Sequence, residues 1–111
     1  MKDLTAWRIL GAMVLGWALV ARGGEPAVLR NQAYKAGAAL SDYERERCLL
    51  DFYLPTNTAF ATLVWFHGGG LTGGDKSSGE ALGRMLAKEG IALASANYRL
   101  SPRVHFPAYV E

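Results

Sequence analysis

The chain is poor in cysteine, proline, histidine and net charge, and each shortage excludes something. Cys48 stands alone, so no disulfide closes within the chain. With no histidine near it in sequence, its thiol reads as a small buried apolar group rather than a nucleophile. His67 and His105 are far apart and have no local ligand cluster, so neither a metal nor a cofactor is expected. A formal charge of +2 is too small for a nucleic-acid surface. No run of 18 apolar residues occurs, so no spanning helix is forced. With 111 residues, 50% hydrophobic and 20% charged, the chain fits one globular domain at most.

The slight basicity sits at one end. Removing Lys2, Arg8, Arg22 and Asp3 from 12 basic and 10 acidic groups leaves nine of each. Residues 1–23 read as an export signal: Lys2 and Arg8 precede an apolar run over residues 9–21, and Ala21-Arg22-Gly23 offers small residues for cleavage. Such a run makes a helix of roughly 20 Å, short of the ~30 Å hydrocarbon core. The chain is thus expected to be exported, periplasmic or secreted, touching membrane only through that signal. Residues 24–111 form the mature part.

Along that part, residues 24–47 are mixed and polar, and the charge run Glu44-Arg45-Glu46-Arg47 reads as a solvated edge or turn. Residues 48–54 predict a strand closed by Pro55. Residues 59–66, apolar throughout, predict a second strand buried on both faces, as in a central parallel strand. Next comes a loop with five glycines, Gly68, Gly69, Gly70, Gly73 and Gly74. Ser77-x-x-Glu80 predicts a capping box opening a helix. Ala81, Leu82, Met85 and Leu86 mark the helix face, and Gly90 its stop. Residues 91–96 predict a third strand, with an open edge. Strand, glycine loop, helix and strand make a βαβ unit in a parallel sheet.

A glycine loop between strand and helix has two standard uses. Gly68-x-Gly70-x-x-Gly73 matches the dinucleotide fingerprint by letter. Gly73, however, lies well before the helix, and Asn97-Tyr98-Arg99 supplies no acid for a ribose. The other use is an oxyanion hole, where backbone N–H groups approach a carbonyl oxygen closely. His67 directly before three glycines at a strand end fits the lipase and esterase loop.

Four elements occur in order: Leu50-Asp51-Phe52-Tyr53-Leu54-Pro55; Val64-Trp65-Phe66-His67-Gly68-Gly69-Gly70; Gly74-Asp75-Lys76; and Asn97-Tyr98-Arg99-Leu100-Ser101-Pro102 followed by Phe106-Pro107-Ala108. In these the chain resembles the α/β-hydrolase superfamily, specifically esterases of the hormone-sensitive-lipase and BD-FAE type. The resemblance implies an α/β fold, the N-terminal part of a hydrolase sheet with its glycine-rich oxyanion loop, incomplete in itself. It makes the Gly69 and Gly70 N–H groups the oxyanion donors, with His67 and Gly68 supporting the turn. It implies a small-molecule or polysaccharide-linked acyl ester as substrate. It makes His105 a loop residue and not a general base. Asp75 and Arg99 are read either as a pair ordering the loop or as solvated charges, and Tyr98 and Trp65 as core.

None of Ser41, Ser77, Ser78, Ser95 and Ser101 has glycines at both −2 and +2, as the nucleophile motif requires. Gly79-Glu80-Ala81-Leu82-Gly83 has the spacing but places alanine at its centre. The family pattern stops at Glu111, so the expectation is a truncated sequence lacking the nucleophile and the rest of the triad. The two functions carried forward are an exported serine carboxylic-ester hydrolase and a noncatalytic exported hydrolase-like remnant or binding domain.

Overall fold

A computed structural model describes residues 25–111; the expected export signal at residues 1–23 lies outside them. The described residues form one four-stranded sheet with helical segments: β1 (Ala27–Ala33), α1 (Asp42–Arg47), β2 (Leu49–Leu54), β3 (Thr62–Phe66), a 3-10 turn (Lys76–Gly79), α2 (Glu80–Lys88) and β4 (Ala92–Ala96). The strand order is β1-β2-β4-β3. β3 and β4 run parallel, joined through α2, which is the expected βαβ unit. β1 and β2 pair antiparallel, as do β2 and β4.

β1 lies in the stretch read as merely polar. Its register with β2 shifts between Leu29 and Gln32, and Asn31 sits there at φ 55°. A bulge of that kind breaks the two-residue alternation that announces a strand. The charge run below it is also not a plain solvated edge. It is the helix α1, opened by the capping box Ser41/Glu44. Residues three apart share a helix face, so Glu44 and Arg47 turn inward while Glu46 stays in water.

The core lies between the sheet and α2. Tyr53, Leu93 and Ala87 are fully or almost fully buried, with Val28, Leu82 and Leu86 packed on them. The predicted helix stripe is therefore rotated. Gly83 and Ala87 face inward, while Ala81 and Met85 face out. Gly79 and Gly83 explain the rotation. A side chain at Gly83 would strike the Tyr53 ring, and one at Gly79 would strike Ser95 and Trp65. The nucleophile-like glycine spacing is thus a close helix-to-sheet contact. Gly90 does end the helix, at φ 82°.

The predicted capping box at Ser77 and Glu80 does not form. Asp75 caps the 3-10 turn by accepting from the Ser77 N–H, and the Glu80 carboxylate is held by Arg30 and Arg84. The strand edges also differ from expectation. β4 is interior and buried along its whole length, whereas β3 pairs with β4 alone among the described residues. Every residue of β3 is exposed, so its apolar sequence is not matched by burial on two faces here. Cys48 is buried, as its composition suggested.

Candidate functional site

The parallel pair β3–β4 brings two chain segments out at the same end of the sheet. His67 to Gly70 leave β3, and Asn97 and Tyr98 leave β4. In open α/β sheets this carboxyl end is where ligands bind.

The glycine loop turns sharply just beyond His67. Gly69 is at φ 126°, Gly70 at 60°, Leu71 at 62° and Gly74 at 102°. The Gly69 carbonyl accepts from the Thr72 N–H at 3.1 Å, the Gly73 N–H at 3.2 Å and the Thr72 hydroxyl at 3.1 Å. A side chain at Gly69 would run into the Gly73 carbonyl, and one at Gly74 into His67 and the Gly68 carbonyl. The turn closes on itself through carbonyl acceptors. The N–H groups of Gly69 and Gly70 find no protein acceptor among the described residues, and both glycines are exposed. Two adjacent unpaired donors at a strand end are what an oxyanion site needs.

His67 is buried, and its ring stacks on Tyr98 with centroids 4.4 Å apart. The Tyr98 hydroxyl donates to the His67 carbonyl at 2.6 Å. His67 Nδ1 lies 2.8 Å from the Gly68 carbonyl oxygen. That oxygen only accepts, so the pattern assigns the proton to Nδ1 and leaves Nε2 with its lone pair. Locked in this way, His67 braces the loop. Tyr98 belongs to the same stack and is buried as expected, whereas Trp65, expected in the core, is exposed, its indole N–H donating to the Ser78 hydroxyl at 3.4 Å.

The far side of the loop is tied to the strands. Asp75 accepts from the Asn97 amide at 3.0 Å, and Asn97 Oδ1 accepts from the Lys76 N–H at 2.7 Å. The Ser95 hydroxyl donates to the Lys76 carbonyl at 2.6 Å. Lys76 Nζ reaches the fully buried Asp51 at 2.8 Å, where Arg30 at 3.2 Å and the Asn31 N–H at 2.8 Å also converge. Asp75 and Arg99 do not pair. Arg99 reaches Glu44 at 3.4 Å, while Asp75 lies 3.9 Å from Arg47. α1 sets this partition, because it carries both a carboxylate and a guanidinium on its inner face. His105 is exposed in the loop beyond β4, away from these contacts.

Burial pushes the Asp75 carboxyl up, but the Ser77 N–H and the Asn97 amide outweigh it and hold it down at about 2. A lowered carboxyl group supports structure above its ordinary value and loses that support as pH falls toward the folded value. The 74–77 turn should therefore loosen as pH drops from about 4 to about 2. Amide NMR shifts of Lys76 and Ser77 should follow this titration, and Asp75→Asn should remove it. An unchanged titration in the variant would contradict the assignment.

Arg47 and Asn97 are the site residues that the sequence did not single out. Asn97 stood in a quoted motif, but nothing distinguished Arg47 within its charge run. Among the described residues, no group of three or more His, Cys, Asp or Glu side chains could hold a metal ion. No helix among them is long and apolar enough to cross a membrane. A groove of about 620 Å³ borders the loop on the sheet face opposite α2, with Phe66, Leu71, Tyr98 and Tyr109 on its walls.

The BD-FAE family model matches residues 50–111. No curated protein sequence matches the chain. Among solved structures, esterase B from Lactobacillus rhamnosis is similar at 24% identity and TM-score 0.64, over 96% of this chain and 33% of that one. A bacterial heroin esterase is similar at 27% identity and TM-score 0.52, over 97% of this chain and 33% of that one. A truncated carbohydrate esterase from gut microbiota is similar at 25% identity and TM-score 0.57, over 76% and 29%. The chain spans a third or less of the length of these neighbours. Their shared architecture is the α/β-hydrolase sheet.

Proposed function

The chain belongs to the BD-FAE family, and from that membership we propose that it supplies the oxyanion-binding part of an exported serine carboxylic-ester hydrolase. One observation carries this reading. The turn after His67 closes through the Gly69 carbonyl, which accepts from Thr72 and Gly73, while the adjacent N–H groups of Gly69 and Gly70 find no protein acceptor among the described residues. Supporting it are the structural neighbours, which are esterases on a common fold.

In this reading a serine contributed from outside these 111 residues attacks the ester carbonyl carbon. The new C–O bond forms as the carbonyl π pair moves onto oxygen, where Gly69 and Gly70 donate to the developing oxyanion. The serine proton passes through a histidine, also from outside, to the departing alkoxide. Water then repeats the sequence and releases the acid. Each oxyanion donor is worth about 2.7–4 kcal/mol of barrier in comparable enzymes. His67 is too enclosed by Gly68, Tyr98 and Arg47 to act as that base. The substrate class is a short acyl ester, free or linked to polysaccharide, the latter supported by the carbohydrate esterase among the neighbours. Export rests on Lys2, Arg8 and the apolar run over residues 9–21.

The test is to express the chain alone and together with any coding sequence that follows Glu111, and to assay both on p-nitrophenyl acetate and butyrate. The longer protein should turn over and be blocked by a serine-directed phosphonate, and the 111 residues alone should do neither. Phosphonate-sensitive turnover by the short chain would overturn the division of labour. A stop codon directly after Glu111, with stable soluble expression and no turnover, would favour a noncatalytic domain.

A further inference from the structure

Arg47 reaches both ends of the glycine loop from one position. Its side chain is 12% exposed and projects from the last turn of α1. Nε donates to the Tyr98 carbonyl at 3.1 Å, where β4 ends. Nη2 donates to the Gly74 carbonyl at 3.2 Å, at the close of the loop. The same nitrogen lies 3.5 Å from His67 Nε2, at the start of the loop. Nη1 faces Asp75 at 3.9 Å. Nε thus addresses the segment after β4, while Nη1 and Nη2 address the close of the loop and Nη2 also its start.

The chemistry of these partners is specific. Two are carbonyl oxygens that need donors. The third, His67 Nε2, is an acceptor because Nδ1 already gives its proton to the Gly68 carbonyl. Only a side chain with several donors in a rigid plane serves all three, and a lysine ammonium offers its donors from a single point. We infer that Arg47 is the positioning residue of the oxyanion loop, tying Gly74 and Tyr98 into one frame around Gly69 and Gly70 and so holding His67 where the Gly68 carbonyl selects its Nδ1–H tautomer. The loop's role as an oxyanion site rests on the function proposed above, whereas the tautomer and the ordering do not.

The test separates the two. In the ¹⁵N-labelled chain at neutral pH, long-range ¹H–¹⁵N spectra should show the His67 ring as a single Nδ1–H tautomer. An Nε2–H tautomer in the unaltered chain would overturn the inference without any variant. In Arg47→Lys and Arg47→Met ¹⁵N relaxation should show residues 68–74 more mobile while β2 and β4 keep their rigidity, and as the His67–Gly68 contact loosens with the loop the ring should become a mixture of tautomers. If Arg47→Lys keeps both the single tautomer and the rigid loop, the guanidinium is not the positioning group. In an active hydrolase carrying this segment, Arg47→Lys should lower kcat about 10- to 100-fold with KM unchanged, the size expected from a small displacement of a catalytic group. A mobile loop with unchanged kcat would uphold Arg47's positioning and count against the oxyanion reading alone.

Discussion

Gly69→Ala is expected to lower kcat about 100- to 1000-fold in an active hydrolase carrying this segment, the loss typical of a missing oxyanion donor. The cause is steric. At φ 126° an alanine is strained, and its Cβ would overlap the Gly73 carbonyl, with its carbon only 2.6 Å away. The backbone has no room to yield, because the Gly69 carbonyl itself holds Thr72 and Gly73. The turn must open, and the Gly69 and Gly70 N–H groups then point elsewhere. Gly68 supplies the control. A Cβ there meets nothing within 4 Å, so Gly68→Ala should keep the loop conformation. Three consecutive glycines look equivalent in sequence, yet only the second is closed to a side chain by direct contact. Kinetics with circular dichroism as a check on folding measures the difference. Equal losses in the two variants would contradict the steric account.

Asp51→Asn should destabilise the chain by ~3 kcal/mol, the low end of the cost of breaking a buried ion pair. Asp51 is fully buried on β2, and Lys76, itself only 12% exposed, would be left beside a neutral amide. Arg30, 44% exposed, can turn to water and loses less. Against a typical total of about 5–15 kcal/mol, this is a large fraction. Urea unfolding at pH 7 should show it as a lower midpoint. Adding Lys76→Met to Asp51→Asn should recover part of the loss, since no uncompensated ammonium then remains. Strict additivity of the two changes would mean that the pair is not coupled. The pair joins the strand motif around Asp51 to the Gly74-Asp75-Lys76 motif, so stability and site geometry share one contact.

The parts legible in sequence were those dictated by local chemistry. The runs over residues 59–66 and 91–96 and the glycines between them announced a parallel βαβ unit, and the order of motifs announced the family. The parts that were not legible depended on tertiary neighbours. β1 escaped because its bulge at Asn31 scrambles the alternation. β3 has the composition of a central strand, yet among the described residues it pairs with β4 alone, and strand pairing depends on neighbours in the sheet and not on its own residues. Ser77 and Glu80 had the letters of a capping box, yet Asp75 competed for the Ser77 N–H and two arginines for the Glu80 carboxylate. Arg47 was indistinguishable from Arg45 until α1 turned one inward and the other outward. At the candidate site, the glycines could be named from sequence. So could His67 beside them, but Arg47, which ties the loop to α1 and to the end of β4, could not.

The most direct measurement is the structure of a phosphonate adduct of the active protein that carries this segment. The phosphoryl oxygen should lie 2.7–3.1 Å from the backbone nitrogens of Gly69 and Gly70, the range expected of oxyanion donors. A phosphoryl oxygen bound away from both, with the loop still closed on the Gly69 carbonyl, would contradict the account.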